Sequence, residues 1–302
     1  MTRRKPDWRP ASRDGVGPSR VASGAHYPHV LAFLQTRFPA VADWPERLAA
    51  GEVLDSTGDP ARPDGACVPG TALWYWRRPP PEQRVPFEID LLFQDDYLVA
   101  IDKPHFLPVT PGGRHLQETA LVRLKRLLGI DTLAPMHRLD LETAGVLVFT
   151  VQPPTRHAYQ SLLRDRAVTK VYEAIAPWRA DLALPLVACH RVEPQDGDGF
   201  MQMRVVAGEP NAETAVEVIE RLGADSALYR LTPRTGRKHQ LRAQMNALGV
   251  PIAGDRIYPC LLPDRPGDFS EPLQLLAREF SFVDPVTGEQ RRFRSRRSLR
   301  GA

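Results

Sequence analysis

The chain has 302 residues, 42% of them hydrophobic, enough to bury the core of one large domain or of a catalytic domain with a smaller attachment. No run approaches the ~20 consecutive apolar residues of a membrane span, and the opening MTRRKPDWRPASRDG lacks the apolar stretch of a secretory signal, so no membrane partner is expected and the cytoplasm is the expected location. A formal net charge of +4 suits a polyanionic partner without requiring one, while three dispersed cysteines (Cys67, Cys189, Cys260) and eight histidines without H-x-x-x-H spacing argue against a disulfide framework and against a metal site.

Residues 1–29 mix Arg3, Arg4, Lys5, Arg9, Arg13 and Arg20 with Pro, Ser and Gly, show no hydrophobic periodicity, and read as a flexible basic arm. The spacing of Val30, Leu34 and Phe38 predicts a short helix, residues 44–50 a second one ending at Gly51, and residues 72–76 a strand. With the Pro-rich linker RRPPPE at 77–82, residues 30–82 form a small N-terminal module.

Residues 83–302 read as the main domain. LLFQDDYLVAIDKP at 91–104 predicts two strands around an Asp95-Asp96 turn, ended by Pro104. Leu116, Ala120, Leu121, Leu124 and Leu128 have helical spacing with Gly129 as the stop. Residues 146–151 read as an apolar strand, 155–164 as a helix after two prolines, and 170–176 as an alternating strand. Further strands are expected at 201–206, 212–222 and 227–231, although the pattern of the second is also compatible with a helix. A helix at 238–248 places Leu241, Met245 and Leu248 on one face, and a final pair of strands flanks DPVTGE before an Arg-rich tail. Short strands mostly without crossover helices imply an α+β fold with a mixed, mostly antiparallel sheet.

The segment HRLDLETAGVLVFT at 137–150 runs a polar loop directly into a hydrophobic strand, a place where chemistry is often sited. Taken alone, Arg138 and Asp140 read equally well as a structural pair at the start of the strand. The segment resembles the H-R-L-D signature of RluA-type RNA pseudouridine synthases, with its following T-S/A-G and apolar strand. VTKVYEA at 168–174 is similar to that family's K-x-Y strand, and LTPRTGRKHQLRAQMNALGVPIAGD at 231–255 to its T-G-R-x-H-Q-I/L-R segment and trailing P-I-x-G-D. A softer likeness is IDKPHFLPVTPGG at 101–113, which resembles the family's K-P-x-G-L loop but carries Phe106 where glycine is usual, so a different loop backbone is expected there.

The resemblance spans roughly residues 90–285. It implies a central catalytic cleft with flanking helices, Asp140 as the catalytic aspartate, Tyr172 as the active-site tyrosine and Arg242 as the arginine that pairs with the aspartate. It also implies Arg138, Arg237, Lys238 and Lys103 as RNA-contacting residues, with His137, Leu241 and His239 in support. The expected activity is isomerisation of uridine to pseudouridine in structured RNA, large-subunit rRNA or tRNA or both, by a monomer without cofactor. Residues 30–76 are faintly similar to the small ribosomal-protein-type RNA-binding module of the family. Their helix faces carry little positive charge beyond Arg37 and Arg47, so a structural role is an equal expectation.

The residues themselves fit such a reaction. A carboxylate that engages sugar or base has to be both ionised and poorly hydrated, and burial alone raises its pKa; a guanidinium beside it resolves the conflict. Tyr172 reads on periodicity alone as a packed strand residue, but its ring offers a flat face to an extruded uracil. Arg237 and Lys238 lie at the start of a helix, where cations oppose the helix dipole and phosphate is favoured. Two other readings are an RNA-binding protein with a decayed site, suggested by Phe106, and a carboxylate glycoside hydrolase using Asp140 and Glu142.

Overall fold

The computed structural model describes residues 9–78, 81–195 and 202–300. The chain divides into two compact units: a smaller one that runs to Glu82 and also takes in Gly112–Gln117, and a larger one built from Gln83–Pro111 and the chain from Glu118 onward. Placing 112–117 in the main domain therefore needs correction. Glu82 accepts hydrogen bonds from the Leu116 and Gln117 amides at 2.9 and 2.8 Å, which ties that loop to the smaller unit.

In the smaller unit a three-stranded antiparallel sheet runs in the order β1 (Ser19–Ala22), β3 (Ala72–Tyr75), β2 (Val53–Leu54), joined by helices α1 (Val30–Arg37) and α2 (Trp44–Ala49). Phe33, Leu34, Trp44, Leu48, Val53 and Leu73 form its core, with Val21 of β1 packed against it. The expected flexible arm is thus corrected over its described part. Ser19–Ala22 pair in register with Ala72–Tyr75, and the Arg13 guanidinium lies 3.7 Å from the Trp76 ring centroid. Arg3, Arg4 and Lys5 lie outside the described residues, as do linker positions 79 and 80. Arg47 is buried, paired with Asp43 at 2.9 Å and donating to the Trp76 carbonyl at 3.2 Å, so of the two helix arginines only Arg37 faces outward.

The larger unit is an α+β fold. Its eleven strands among the described residues are β4 (Asp90–Gln94), β5 (Leu98–Lys103), β6 (Ala134–Pro135), β7 (Ala144–Thr150), β8 (Val168–Pro177), β9 (Leu186–Pro194), β10 (Met203–Val206), β11 (Ala212–Arg221), β12 (Ser226–Pro233), β13 (Leu275–Val283) and β14 (Gln290–Arg294). They form one sheet, in the order β10-β9-β11-β12-β8-β13-β7-β5-β4, with β14 on β13 and β6 on β7. Only the β13–β7 pair is parallel among the described strands, which bears out the mostly antiparallel reading.

Three helices cover the sheet. α3 (Ala120–Leu128) starts where Thr119 accepts from the Val122 amide and stops at Gly129, φ +68°. Its Ala120 and Leu124 pack on Val99, Ile101, Leu147 and Phe149. The alternate residues Leu98, Ala100, Val146 and Val148 meet Tyr159 of α4 (Arg156–Arg164) on the other face. Two covered faces explain why all seven β7 residues are apolar or small and buried. α5 (Gln240–Ala247) lays Leu241 and Met245 on Ala174, Ala176, Val216, Tyr229 and Leu231.

Candidate active site

One rung of the sheet sets the geometry. Lys103, Gly145, Ala277, Tyr172 and Leu231 are successive partners across β5, β7, β13, β8 and β12. The loop bearing Asp140 feeds into β7 at Gly145, and Tyr172 stands two strands away. Gly145 has φ +110°, and a Cβ there would lie 2.3 Å from the Ala277 carbonyl oxygen, so only glycine lets β7 approach β13 in parallel. Gly254, φ +72°, has the same constraint against Pro272 and fixes the turn that presents Asp255.

Arg242, on α5, is the hub. Its side chain is 2% exposed and meets three carboxylates. Nε donates to Asp255 Oδ2 at 2.8 Å and Nη2 to Oδ1 at 2.6 Å, a side-on pair. Nη1 donates to Asp140 Oδ2 at 3.3 Å, and Nη2 also reaches Glu142 Oε2 at 3.2 Å. Asp255 is held in turn by the Ile257 and Tyr258 amides at 2.8 and 3.0 Å. Burial opposes the charge on Arg242, but the Asp255 bonds and the other two carboxylates outweigh it and raise the guanidinium pKa. Burial pushes the Glu142 carboxyl above its ordinary value despite the pull of Arg242. Asp140 keeps 29% of its side chain exposed and is the one acid of the three that lines the open cleft.

That cleft has a volume of about 950 Å³. His137, Arg138, Asp140, Tyr172, Arg237, Lys238, His239, Leu241 and Arg242 line it, so nine of the ten residues singled out from the sequence converge on one site. Burial, and then the Asp140 charge, hold the Tyr172 phenol in its protonated form well beyond neutral pH. Arg138 is exposed at the rim; Arg237 donates to the Asn211 carbonyl at 3.2 Å, and Lys238 is exposed. α5 begins at Gln240, so Arg237 and Lys238 lie in the turn ahead of it and not within the helix.

His239 takes φ +50° and points Nε2 to within 3.9 Å of Asp140 Oδ2. Burial lowers its pKa although Asp140 pulls the other way. His137 stacks on Phe280, ring centroids 4.3 Å apart and planes 7° from parallel, and its Nε2 accepts from the Val148 amide at 3.2 Å. It anchors the loop to the sheet.

Lys103 requires correction. It is fully buried, and its ammonium donates to the carbonyls of Pro104, Leu107 and Leu141 at 3.0, 2.8 and 3.1 Å. All three protons are spoken for inside the protein, so Lys103 does not face RNA; it ties the Asp140 loop to the loop after β5. Burial brings its pKa down to about 7 against the pull of Asp140. Phe106 takes φ +64°, the left-handed conformation that glycine adopts freely, and its ring packs between Phe87 and Phe269 at 6.4 and 5.3 Å.

Asp255 and Lys170 were not singled out from the sequence, and Glu142 was named there only as the partner of Asp140 in the hydrolase reading. Asp255 follows Gly254 in the matched segment, and Lys170 shares a strand face with Tyr172, so both carried a signal. Lys170 lines the cleft and donates to the Thr235 carbonyl at 2.9 Å.

Comparison with known proteins gives one answer. The sequence profile described as RNA pseudouridylate synthase matches residues 97–247. The chain is 34% identical over 221 residues to an uncharacterized RNA pseudouridine synthase of Synechocystis, covering 71% of this chain and 73% of that protein. It is 33% identical over 215 residues to the dual-specificity RNA pseudouridine synthase RluA of Haemophilus influenzae, covering 69% and 93%. Among solved structures, human RNA pseudouridylate synthase domain containing 4 aligns with a TM-score of 0.52 at 29% identity, covering 70% of this chain and 88% of that one. Human RNA pseudouridylate synthase domain containing 1 shares the fold at 20% identity, with a TM-score of 0.56 and coverage of 70% and 84%.

Proposed function

This chain belongs to the RluA-type RNA pseudouridine synthases, isomerases that convert uridine to pseudouridine in RNA, and on that premise we propose that Asp140 carries the reaction in the cleft with Arg242 and Tyr172. The observation that carries the assignment is the Arg242 to Asp140 bond at 3.3 Å, formed between residues 102 positions apart and opening onto a cleft wide enough for a nucleotide. Product and starting nucleoside are isomers: the N1 to C1′ bond breaks, a C5 to C1′ bond forms, and the proton on C5 moves to solvent while N1 gains one. No redox partner enters the balance.

The roles follow from the surroundings. Arg242 pairs with the Asp140 carboxylate at the wall of the cleft and orients it to engage the sugar or base. Tyr172 supplies the face against which the freed uracil is held and turned; base–aromatic stacking is worth about 1–3 kcal/mol. A stacked uridine has to be extruded to reach Asp140, and Arg138, exposed on the neighbouring rim, is placed to fill the vacated stack. Arg237 and Lys238 hold backbone phosphates, while Leu241, His239 and His137 keep the site in register.

We take residues 83–302 as the catalytic domain, with its 112–117 loop lent to the smaller unit, and residues 30–82 as a structural module, since Arg47 is buried in it. The substrate is structured RNA, rRNA or tRNA or both, a reading supported by the cationic rim and by relatives described as dual-specificity enzymes. The enzyme acts as a cytoplasmic monomer; among the described residues no helix is long and apolar enough to cross a membrane. Mapping pseudouridines in total RNA from cells with and without the gene tests this. One or a few sites that vanish on deletion and return with the intact gene support it; an unchanged map contradicts it.

A further inference from the structure

Helix α4 ends in an unusual way. The Ala167 amide donates to the Leu162 carbonyl at 2.8 Å and the Arg166 amide to Leu163 at 3.4 Å, the paired bonds of a left-handed helix stop. The residue that turns the corner, with φ +56°, is Arg166. Glycine takes that conformation freely and arginine does not, so local stability disfavours the residue found there. Unlike Arg164, which is paired with Asp165 at 3.0 Å, Arg166 is exposed and has no ion pair among the described residues.

The cleft supplies a reason for it. Arg166, Val168, Lys170 and Tyr172 all line the same cavity at intervals of two residues, so one strand face leads from the outer corner down to the tyrosine. At ~3.3 Å per residue the Arg166 backbone stands no more than roughly 20 Å from that of Tyr172. The β12–α5 loop brings Arg234, Arg237 and Lys238 to the same cavity. Strain retained at a cationic, unpaired position on the rim of a polyanion-binding cleft is a mark of a ligand contact.

Resting on the synthase reading, we infer that Arg166 is a substrate-binding residue that grips a backbone phosphate of the RNA a few nucleotides away from the uridine being turned over. The contact is electrostatic and indifferent to base identity, so it adds affinity and register rather than chemistry. It acts when RNA docks and leaves the steps at Asp140 untouched.

The test uses the full chain, a structured RNA substrate, and the variants Arg166→Gly and Arg166→Lys. Glycine relieves the backbone while deleting the cation, so its melting temperature is expected to equal or exceed that of the wild type. Its KM for RNA is expected to rise about 3–10-fold with kcat held, and the slope of log Kd against log salt to fall by about one. Lysine is expected to restore most of that slope. Wild-type KM and salt slope in Arg166→Gly overturn the inference, as does a loss confined to kcat or a loss of affinity matched by a lowered melting temperature. RNA binding is measured separately from turnover, so a chain that forms no pseudouridine defeats the synthase reading and leaves the Arg166 measurement to be judged on its own.

Discussion

Arg242 meets Asp255 side-on, with bonds of 2.8 and 2.6 Å, and in that orientation turns its Nη1 toward Asp140 at 3.3 Å. Asp255 is the buried partner that aims the guanidinium, and Asp140 is the accessible partner that benefits. Removing Asp255 leaves a buried arginine short of its main counter-charge. Asp255→Ala is expected to cost about 3–5 kcal/mol of stability, read as a fall in the urea midpoint at unchanged slope. Asp255→Asn keeps the shape and is expected to fold better than the alanine variant yet turn over more slowly, because the fork is no longer fixed. Arg242→Lys cannot make the two-pronged bond and is expected to lose activity despite conserving charge.

Phe106 gives an ordering that packing alone would not. Phe106→Ala loses the contacts with Phe87 and Phe269 and keeps the strained φ of +64°, whereas Phe106→Gly loses the same contacts and relieves the strain. The glycine variant is expected to be the more stable of the two by about 1 kcal/mol, measured by thermal or chemical denaturation. The reverse order would mean that the left-handed backbone is not what the chain is holding there.

Acid lability is expected from two histidines. Burial lowers His137 to about 3 and His105 to about 4, below the ordinary value of 6.5. Between those values the unfolded chain binds protons that the folded chain refuses, so stability falls as pH drops from about 6.5 toward 3. His137→Phe keeps a ring on Phe280 and removes one titration. Its urea midpoint is expected to drop less than that of the wild type between pH 7 and pH 5, although it starts lower because the Val148 amide loses its acceptor.

Tyr172 separates two roles. Its phenol stays protonated in the resting site, so Tyr172→Phe is expected to keep RNA binding and base stacking, and any loss of turnover measures what the hydroxyl contributes beyond the ring. Tyr172→Leu is expected to lose a further 1–3 kcal/mol or so through the missing aromatic face, read as a lower kcat/KM. Equal activity of the leucine and wild-type enzymes would remove the ring from the mechanism.

Much of this was legible in the sequence because the relevant signals are local. The apolar run read at 146–151 falls within a residue or two of β7 (Ala144–Thr150), a strand covered on both faces, and Asp140 lies on the polar loop ahead of it. Three features were not legible for a physical reason. β9 (Leu186–Pro194) mixes exposed and half-buried positions without clean alternation, because it is held by partners on both sides more than by its own pattern. Lys103 reads as a surface cation, and nothing local reveals that three carbonyls from 104, 107 and 141 turn toward its ammonium. Ser19–Ala22 is too short to show a period and is a strand only because Ala72–Tyr75 comes back to meet it.

The most direct measurement is tritium release from carbon-5-labelled uridine in RNA by the wild type and by Asp140→Asn, with RNA binding followed in parallel. The wild type is expected to release label with turnover, and the asparagine variant, which keeps the size of the side chain and loses only its charge, to bind RNA and release none. Release by Asp140→Asn at the wild-type rate, or a wild-type protein that binds RNA without releasing label, contradicts the role given to this carboxylate.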